Sequence, residues 1–325
     1  MKAMVIKAQG GLENLAYDEW PDPVPRAKDV IVRVRACGLN HLDIFVRKGM
    51  PGFPVPMPFI SGADIAGEIC ALGSEVTDWK IGDRVVVQPV TADGMMGEEV
   101  PGGMAELARV PTENLLRIPD DVSFEAAAAL PVAYGTAMRM LVTRGKLKAG
   151  EKILILGASG GVGTAAVQIA KMIGAEVIAA AGDDEKLQKL RELGADHLIN
   201  YKTQDFSKET WRISGKKGVD VVVNYTGGDT YVPSLRTLKR HGRLLTCGAT
   251  AGFDPKTDLR FIWVRELEII GCNGWTKEDI ATLLDYVAKG RIKPVISHVL
   301  PLSQGREAEW LLEQRAVFGK VLLVP

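Results

Sequence analysis

One stretch narrows the fold of this chain more than any other: Ile153-Leu154-Ile155-Leu156-Gly157-Ala158-Ser159-Gly160-Gly161-Val162-Gly163-Thr164-Ala165-Ala166. Four apolar, strand-forming residues run into a cluster of glycines, and the cluster opens directly into helical spacing. A doubly wound dinucleotide-binding sheet needs this order. The glycines turn the backbone tightly, let it approach a pyrophosphate, and let the helix pack close on the strand. The helix start then offers unpaired N–H groups and the positive end of its dipole to phosphate. A second apolar run arrives at Val177, so the loop sits inside a strand–helix–strand unit.

The pattern continues on that side of the chain. Short apolar or β-branched runs at 177–180, 197–200, 219–224 and 244–247 alternate with helical spacing at 163–173 and 184–193. Strands that alternate with helices predict a parallel sheet with crossover helices. Before residue 121 the reading is different. Runs at 30–36, 65–72 and 84–87 alternate or are rich in Val, with Gly and Pro between them, which predicts a compact, mostly-β domain. Ser123 reads as the N-cap of a helix that begins with Phe124.

Length agrees with two cores, since 325 residues exceed one typical domain of about 150. Lys+Arg and Asp+Glu both number 40, so no net charge draws the chain to nucleic acid or to an anionic membrane. The four cysteines, Cys37, Cys70, Cys247 and Cys272, contain no CxxC pair and read as free thiols of a reducing compartment. Met1–Lys7 reads as a strand rather than a signal peptide, and the longest apolar run, 126–134 with Pro131 inside it, is too short to span a bilayer. A cytoplasmic protein is expected.

The second strand of the dinucleotide unit ends in Ala179-Ala180-Ala181-Gly182, with no acid at its tip to hold ribose hydroxyls. That leaves room for a 2′-phosphate, and Lys186 follows one helical turn on. Asp183 argues for the unphosphorylated cofactor, but it falls beyond the strand end.

The glycine loop, together with Cys37-Gly38-Leu39-Asn40-His41-Leu42-Asp43 and Ser61-Gly62-Ala63-Asp64-Ile65-Ala66-Gly67, resembles the medium-chain dehydrogenase/reductase superfamily, and more closely its zinc-free quinone oxidoreductase and enone reductase branch. Gly290-Arg291-Ile292-Lys293-Pro294 and Phe318-Gly319-Lys320-Val321-Leu322-Leu323 extend the likeness to the C-terminal end. The resemblance implies an α/β fold in which a Rossmann doubly wound parallel sheet is inserted in a GroES-like, mostly-β catalytic domain. The change points put the catalytic domain at 1–121, the dinucleotide domain at 122–261 and the catalytic return at 262–325.

The resemblance also implies a departure in metal chemistry. Zinc-dependent relatives carry a Cys where this chain has Asn40, a His at Ala63 and a third ligand near Ala128, and their structural-zinc cysteines are missing from 91–100. No metal is expected, since zinc needs about four N, S or O ligands. The NADPH-using members imply a 2′-phosphate held by Gly182, Lys186, Tyr201 and Arg315. They imply further cofactor contacts from Asn40, Thr136, Gly160, Gly161, Val162, Thr226, Gly248, Ala249, Ile270, Cys272, Gly319 and Lys320. Asn40 is the expected catalytic donor, with His41 and Tyr134 as weaker candidates for lining the pocket or passing a proton. Asp43 and Asp64 are expected to fix loops, while Phe53, Met95, Trp263 and Trp275 are candidate apolar walls for a substrate held between the domains.

Oxidising an alcohol means losing a proton of very high pKa, which zinc makes possible as a Lewis acid. Reducing an activated C=C bond or a quinone asks only that charge on an oxygen be met by hydrogen-bond donors. The expected activity is therefore an NADPH-dependent, metal-free enone or quinone reductase. An enoyl-thioester reductase of the acryloyl-CoA type and a non-enzymatic NADPH-binding protein are the alternatives. Expected partners are a small activated alkene or quinone and a second copy of the chain, paired through an edge strand at Leu267-Glu268-Ile269-Ile270; no nucleic acid or membrane partner is expected.

Overall fold

A computed structural model describes residues 1–50, 52 and 54–325. The chain forms two compact units, one of Met1–Ala133 with Thr276–Pro325, the other of Tyr134–Trp275. Both divisions fall about a dozen residues beyond the expected 121 and 261. The helix Phe124–Ala128 packs on the strands Asp29–Gly38 and Asp64–Leu72 of the first unit, and Glu268–Gly271 is a strand of the second.

The discontinuous unit is built on a seven-stranded sheet. Its path runs Ile296–Pro301, Lys320–Val324, Asp29–Gly38, Asp64–Leu72, Arg84–Val87, Leu115–Arg117, with Leu107–Pro111 also paired to Asp29–Gly38. The long strand Asp29–Gly38 is the hub, because its alternation buries Val30, Val32 and Val34 in the core. Lys320–Val324 inserts beside it, matching Leu322 with Gly38 and Leu323 with Cys37. The C-terminal return thus lies against the segment that leads into Asn40 and the helix His41–Lys48.

The continuous unit is a six-stranded parallel sheet in the order His197–Asn200, Glu176–Ala181, Lys152–Leu156, Val219–Val223, Leu238–Thr246, Glu268–Gly271. The order reverses between Lys152–Leu156 and Val219–Val223, and ligands of such sheets bind beyond the strand ends at that switch point. Leu154, Leu156, Ile178, Ile199, Val222 and Leu244 fill its core. Only the apolar end of Leu238–Thr246 reads as a strand in sequence, since Lys239, Arg240 and His241 are exposed along it.

Candidate active site

In the parallel unit the switch point is made by two loops. After Leu156 the chain turns through Gly157 at φ +64° and enters the helix Gly161–Ile173, whose cap, Gly160, supplies no side chain to its first N–H groups. A Cβ at Gly163 would lie 2.5 Å from Gly157 O and 2.6 Å from Ala158 Cα, so this glycine sets the helix against the strand. A Cβ at Gly160 would meet nothing closer than 3.6 Å, which leaves the cradle open there. Opposite, Asn224 accepts from the N–H groups of Thr226 and Gly227 at 2.9 and 3.0 Å and donates to Ser234 Oγ at 2.8 Å. Tyr225 donates its hydroxyl to Gly157 O at 2.7 Å and so joins the two loops. Nothing in the residue pattern singled out Asn224 or Tyr225.

Beyond the neighbouring strand Glu176–Ala181, Gly182 lies against Tyr201, where an added Cβ would approach the ring to 2.8 Å. Asp183 is used as a helix cap, its carboxylate accepting from Lys186 N at 2.9 Å. Burial holds the Lys186 ammonium below its usual range. Asp183 works against that shift, while Lys202 and Lys189 add to it. Lys202, also beside Gly182, is a cation that the sequence reading missed. Beyond the carboxyl end of Glu176–Ala181, Gly182 and Tyr201 thus lie together, with Lys186 on the helix Asp184–Glu192 that follows. These residues fit a phosphorylated dinucleotide: bare glycine backbone, a helix start without a side-chain cap, and two lysines. Arg315, at φ +53° just past the helix Gly305–Glu313, belongs to the discontinuous unit.

Thr246, which ends the fifth strand, donates its hydroxyl to Gly248 O at 3.1 Å, and Ala249 follows. Ile270 lies on the edge strand, and Cys272, just past it, is buried. Thr136 is buried too. Tyr134 departs from its expected role: its side chain is fully enclosed, and its hydroxyl accepts from Gln168 Nε2 at 3.0 Å, so it serves as a core residue. Trp275 packs on Gly135, and Trp263 is exposed. Met95 is half-buried on a two-residue strand, and Phe53 lies outside the described residues.

In the discontinuous unit, Asn40, Asp43, Asp64 and Lys320 form one buried network. The Lys320 ammonium donates to Leu39 O, Asn40 Oδ1 and Asp64 Oδ2 at 2.7, 2.7 and 2.8 Å. Asn40 Nδ2 donates to Asp64 Oδ2 at 2.9 Å and, loosely, to Gly38 O at 3.4 Å. Asp64 Oδ1 accepts from Val132 N at 2.7 Å. Asp43 accepts from Asn40 N and Gly62 N at 2.7 and 2.8 Å, yet burial pushes its carboxyl up to about 7 against those two bonds. Two expectations change here. Asn40 has both ends of its carboxamide engaged within the protein and ties its loop, and Lys320, 2% exposed, points inward rather than toward a ligand. Asp43 and Asp64 fix loops, as expected.

His41, first residue of its helix, is exposed at the surface, with its ring partly desolvated. Burial, then the charges of Arg315 and Lys320, hold its imidazole below the usual value. It is the one residue of the expected catalytic trio with surface access and a tuned proton. The donor set around Asn40 does not fit zinc. Its carboxylate and amide oxygens already hold an ammonium, Ala63 and Ala128 offer methyls, and burial raises the Cys37 thiol well above its ordinary range. Among the described residues, no three His, Cys, Asp or Glu side chains cluster so as to hold a metal ion.

Family models match both units: "Alcohol dehydrogenase GroES-like domain" over residues 26–120 and "Zinc-binding dehydrogenase" over 161–289. Bovine quinone oxidoreductase-like protein 2 is 33% identical, with 93% of this chain and 86% of the relative covered. Human quinone oxidoreductase is 30% identical, with 100% of this chain and 98% of the relative covered. A crystal structure described as an NAD-dependent alcohol dehydrogenase is 38% identical, superposes with a TM-score of 0.95, and is covered over its whole length, as is this chain.

Proposed function

From the premise that the chain belongs to the medium-chain dehydrogenase/reductase superfamily, on its quinone oxidoreductase branch, we propose that it is an NADPH-dependent, zinc-independent reductase of activated C=C bonds and quinones. Its membership makes it an oxidoreductase that uses a nicotinamide cofactor and a small-molecule substrate. The bound nicotinamide supplies or accepts hydride. Gly160, Gly161 and Val162 would hold the pyrophosphate on their backbone, and Gly182, Tyr201, Lys186 and Lys202 the 2′-phosphate. An anion there would relieve the crowding of two lysines, the second of which depresses the first.

One observation carries the choice of reaction: the Lys320 ammonium is held by Asn40, Asp64 and Leu39. This ammonium, paired with the Asp64 carboxylate, gives Asn40 a set orientation. Charge developing on a substrate oxygen nearby would be met by a preorganised field rather than by a Lewis acid. His41, whose neutral form is favoured by burial and by the charges of Arg315 and Lys320, is the residue that could exchange a proton with solvent.

We also infer a homodimer through Glu268–Gly271. Among the described residues this strand has no neighbour on one side, and Trp263, Val264 and Ile269 are exposed around it, at 62, 64 and 41%. Light scattering of Trp263→Glu against the parent chain tests it, a monomer being expected only for the variant. Four unpaired thiols favour a reducing cytoplasm. Among the described residues no helix is long and apolar enough to cross a membrane.

The deciding experiment is a panel of methyl vinyl ketone, 1,4-naphthoquinone, acryloyl-CoA and benzyl alcohol, each with NADPH or NADH and with or without a chelator. Oxidation of NADPH by the enone or quinone, unaffected by the chelator, is expected. Alcohol oxidation that a chelator abolishes would overturn the reading, and turnover of the thioester alone would move it to that substrate class. Dinucleotide binding with no turnover of any substrate would leave a binding protein.

A further inference from the structure

Two cysteines, Cys247 and Cys272, directly follow neighbouring strands of the parallel sheet. The ladder between Leu238–Thr246 and Glu268–Gly271 matches Thr246 with Gly271, and the N–H of Cys272 donates to Thr246 O at 2.8 Å. In a parallel ladder a residue donates to the carbonyl just before its opposed partner, so the partner of Cys272 is Cys247. Opposed residues on neighbouring strands face the same side, with strands about 4.8 Å apart. That spacing lies within the Cα separation of about 4.4–6.8 Å that a disulfide requires.

The surroundings distinguish the two sulfurs. Burial pushes the Cys247 thiol up to about 12, and Cys272 adds to the shift. Burial raises Cys272 as well, but Arg144 and Arg139 pull it back, and Arg144 also donates to Gly271 O at 3.3 Å. Cys272 is therefore the better nucleophile. Cys247 is half-buried and Cys272 buried, while Gly248, Gly271 and Asn273 beside them are exposed, so a reagent as small as hydrogen peroxide would approach the pair from the Cys247 side. Cys247 also neighbours Tyr225, the side chain that joins the two switch-point loops.

We propose that Cys247 and Cys272 form a vicinal dithiol, a modification site at the carboxyl end of the parallel sheet that closes to a disulfide on reaction with a hydroperoxide. The Cys272 thiolate attacks the peroxide, the O–O bond breaks, and one oxygen stays on sulfur as a sulfenic acid while the other leaves as water or alcohol. Cys247 sulfur then displaces the sulfenic hydroxyl, which leaves as a second water. Two electrons pass from the sulfurs to the peroxide and both thiol protons end in the products. Only its effect on cofactor binding rests on the function proposed above: the closed pair locks the segments around Gly248, Ala249, Ile270 and Cys272 together and excludes the nicotinamide end of the dinucleotide.

The test treats the reduced full chain with hydrogen peroxide, then unfolds it in denaturant with iodoacetamide to block remaining thiols, and maps peptides by mass. The expected product joins Cys247 to Cys272, leaves Cys37 and Cys70 alkylated, and is reversed by dithiothreitol. Cys247→Ser and Cys272→Ser each abolish it. Peroxide-treated protein in which both thiols remain alkylatable overturns the inference, as does Cys272 carried on to sulfinic acid with Cys247 still alkylatable. These outcomes are read on the parent chain, so they stand even if a variant misfolds. The disulfide form is expected to lose the rise in melting temperature that NADPH gives the reduced form. A disulfide that leaves this rise intact refutes the effect on the cofactor. A reduced chain that shows no rise counts against the proposed function and leaves the dithiol itself standing.

Discussion

The ammonium of Lys320 lies 2.8 Å from Asp64 Oδ2, with the two side chains 2% and 0% exposed. A buried pair of this kind is costly to break by halves, because removing one partner strands the other charge without water. Lys320→Met should lower unfolding free energy by about 3–5 kcal/mol, and Lys320→Met with Asp64→Asn should recover part of the loss. Urea denaturation of the three proteins measures this, and a stability for Lys320→Met equal to the parent's would refute it.

The glycines of the cradle should separate fold from binding. Gly163→Ala forces a methyl against Gly157 O and Ala158, and overpacking of this kind costs about 1–3 kcal/mol. Gly160→Ala has open space, so it should melt like the parent and yet bind dinucleotide more weakly, since its methyl enters the volume left for phosphate. Paired thermal melts and fluorescence titrations check both outcomes.

Cofactor choice should lie with Lys186 and Lys202. A hydrogen bond to a charged group contributes about 1.5–3 kcal/mol, so losing one weakens binding by about 10- to 100-fold. Lys186→Ala should lower affinity for NADPH by that factor, and Lys202→Ala in the same direction, while NADH affinity stays within about 2-fold. Equal losses for both cofactors would mean that these lysines do not read the 2′-phosphate.

His41 should titrate below 6.5, its reference value, because burial and then Arg315 and Lys320 disfavour its charge. As pH falls below 6.5 the unfolded chain takes up a proton that the folded chain still refuses, so this residue's share of stability is present above 6.5 and lost as pH drops through the folded value. An NMR titration of the His41 ring gives the midpoint, and Arg315→Met should move it upward. A midpoint at or above 6.5 would contradict the desolvation described here.

Much of this was legible because it is local. The strand, glycines and helix of 153–173 announce themselves within a few turns of chain, and Gly182, Lys186 and Tyr201 follow at the ends of the next two strands. What stayed hidden depends on separation or on turn geometry. Asn40 reads as a free donor until Lys320 and Asp64 are seen to occupy its carboxamide, and they are 280 and 24 residues away from it. Tyr134 reads as a pocket residue until Gln168, on another helix, meets its hydroxyl. Lys202 escapes notice because it reaches Gly182 only through the turn after Asn200. The strand around Lys239 to His241 is masked by the solvent-facing charges that it carries.

The sheet that holds Asn40 is threaded by Lys320–Val324, and Lys320 answers a carboxylate 256 residues earlier. During translation at about 5–20 residues per second, that gap is a wait of about 10–50 s. The region that leaves the ribosome first is then among the last to mature. Through that interval Asp64 lacks the countercharge of Lys320 and the hub strand lacks a neighbour, so the nascent chain is exposed to chaperones and proteases where its polar interior is still open.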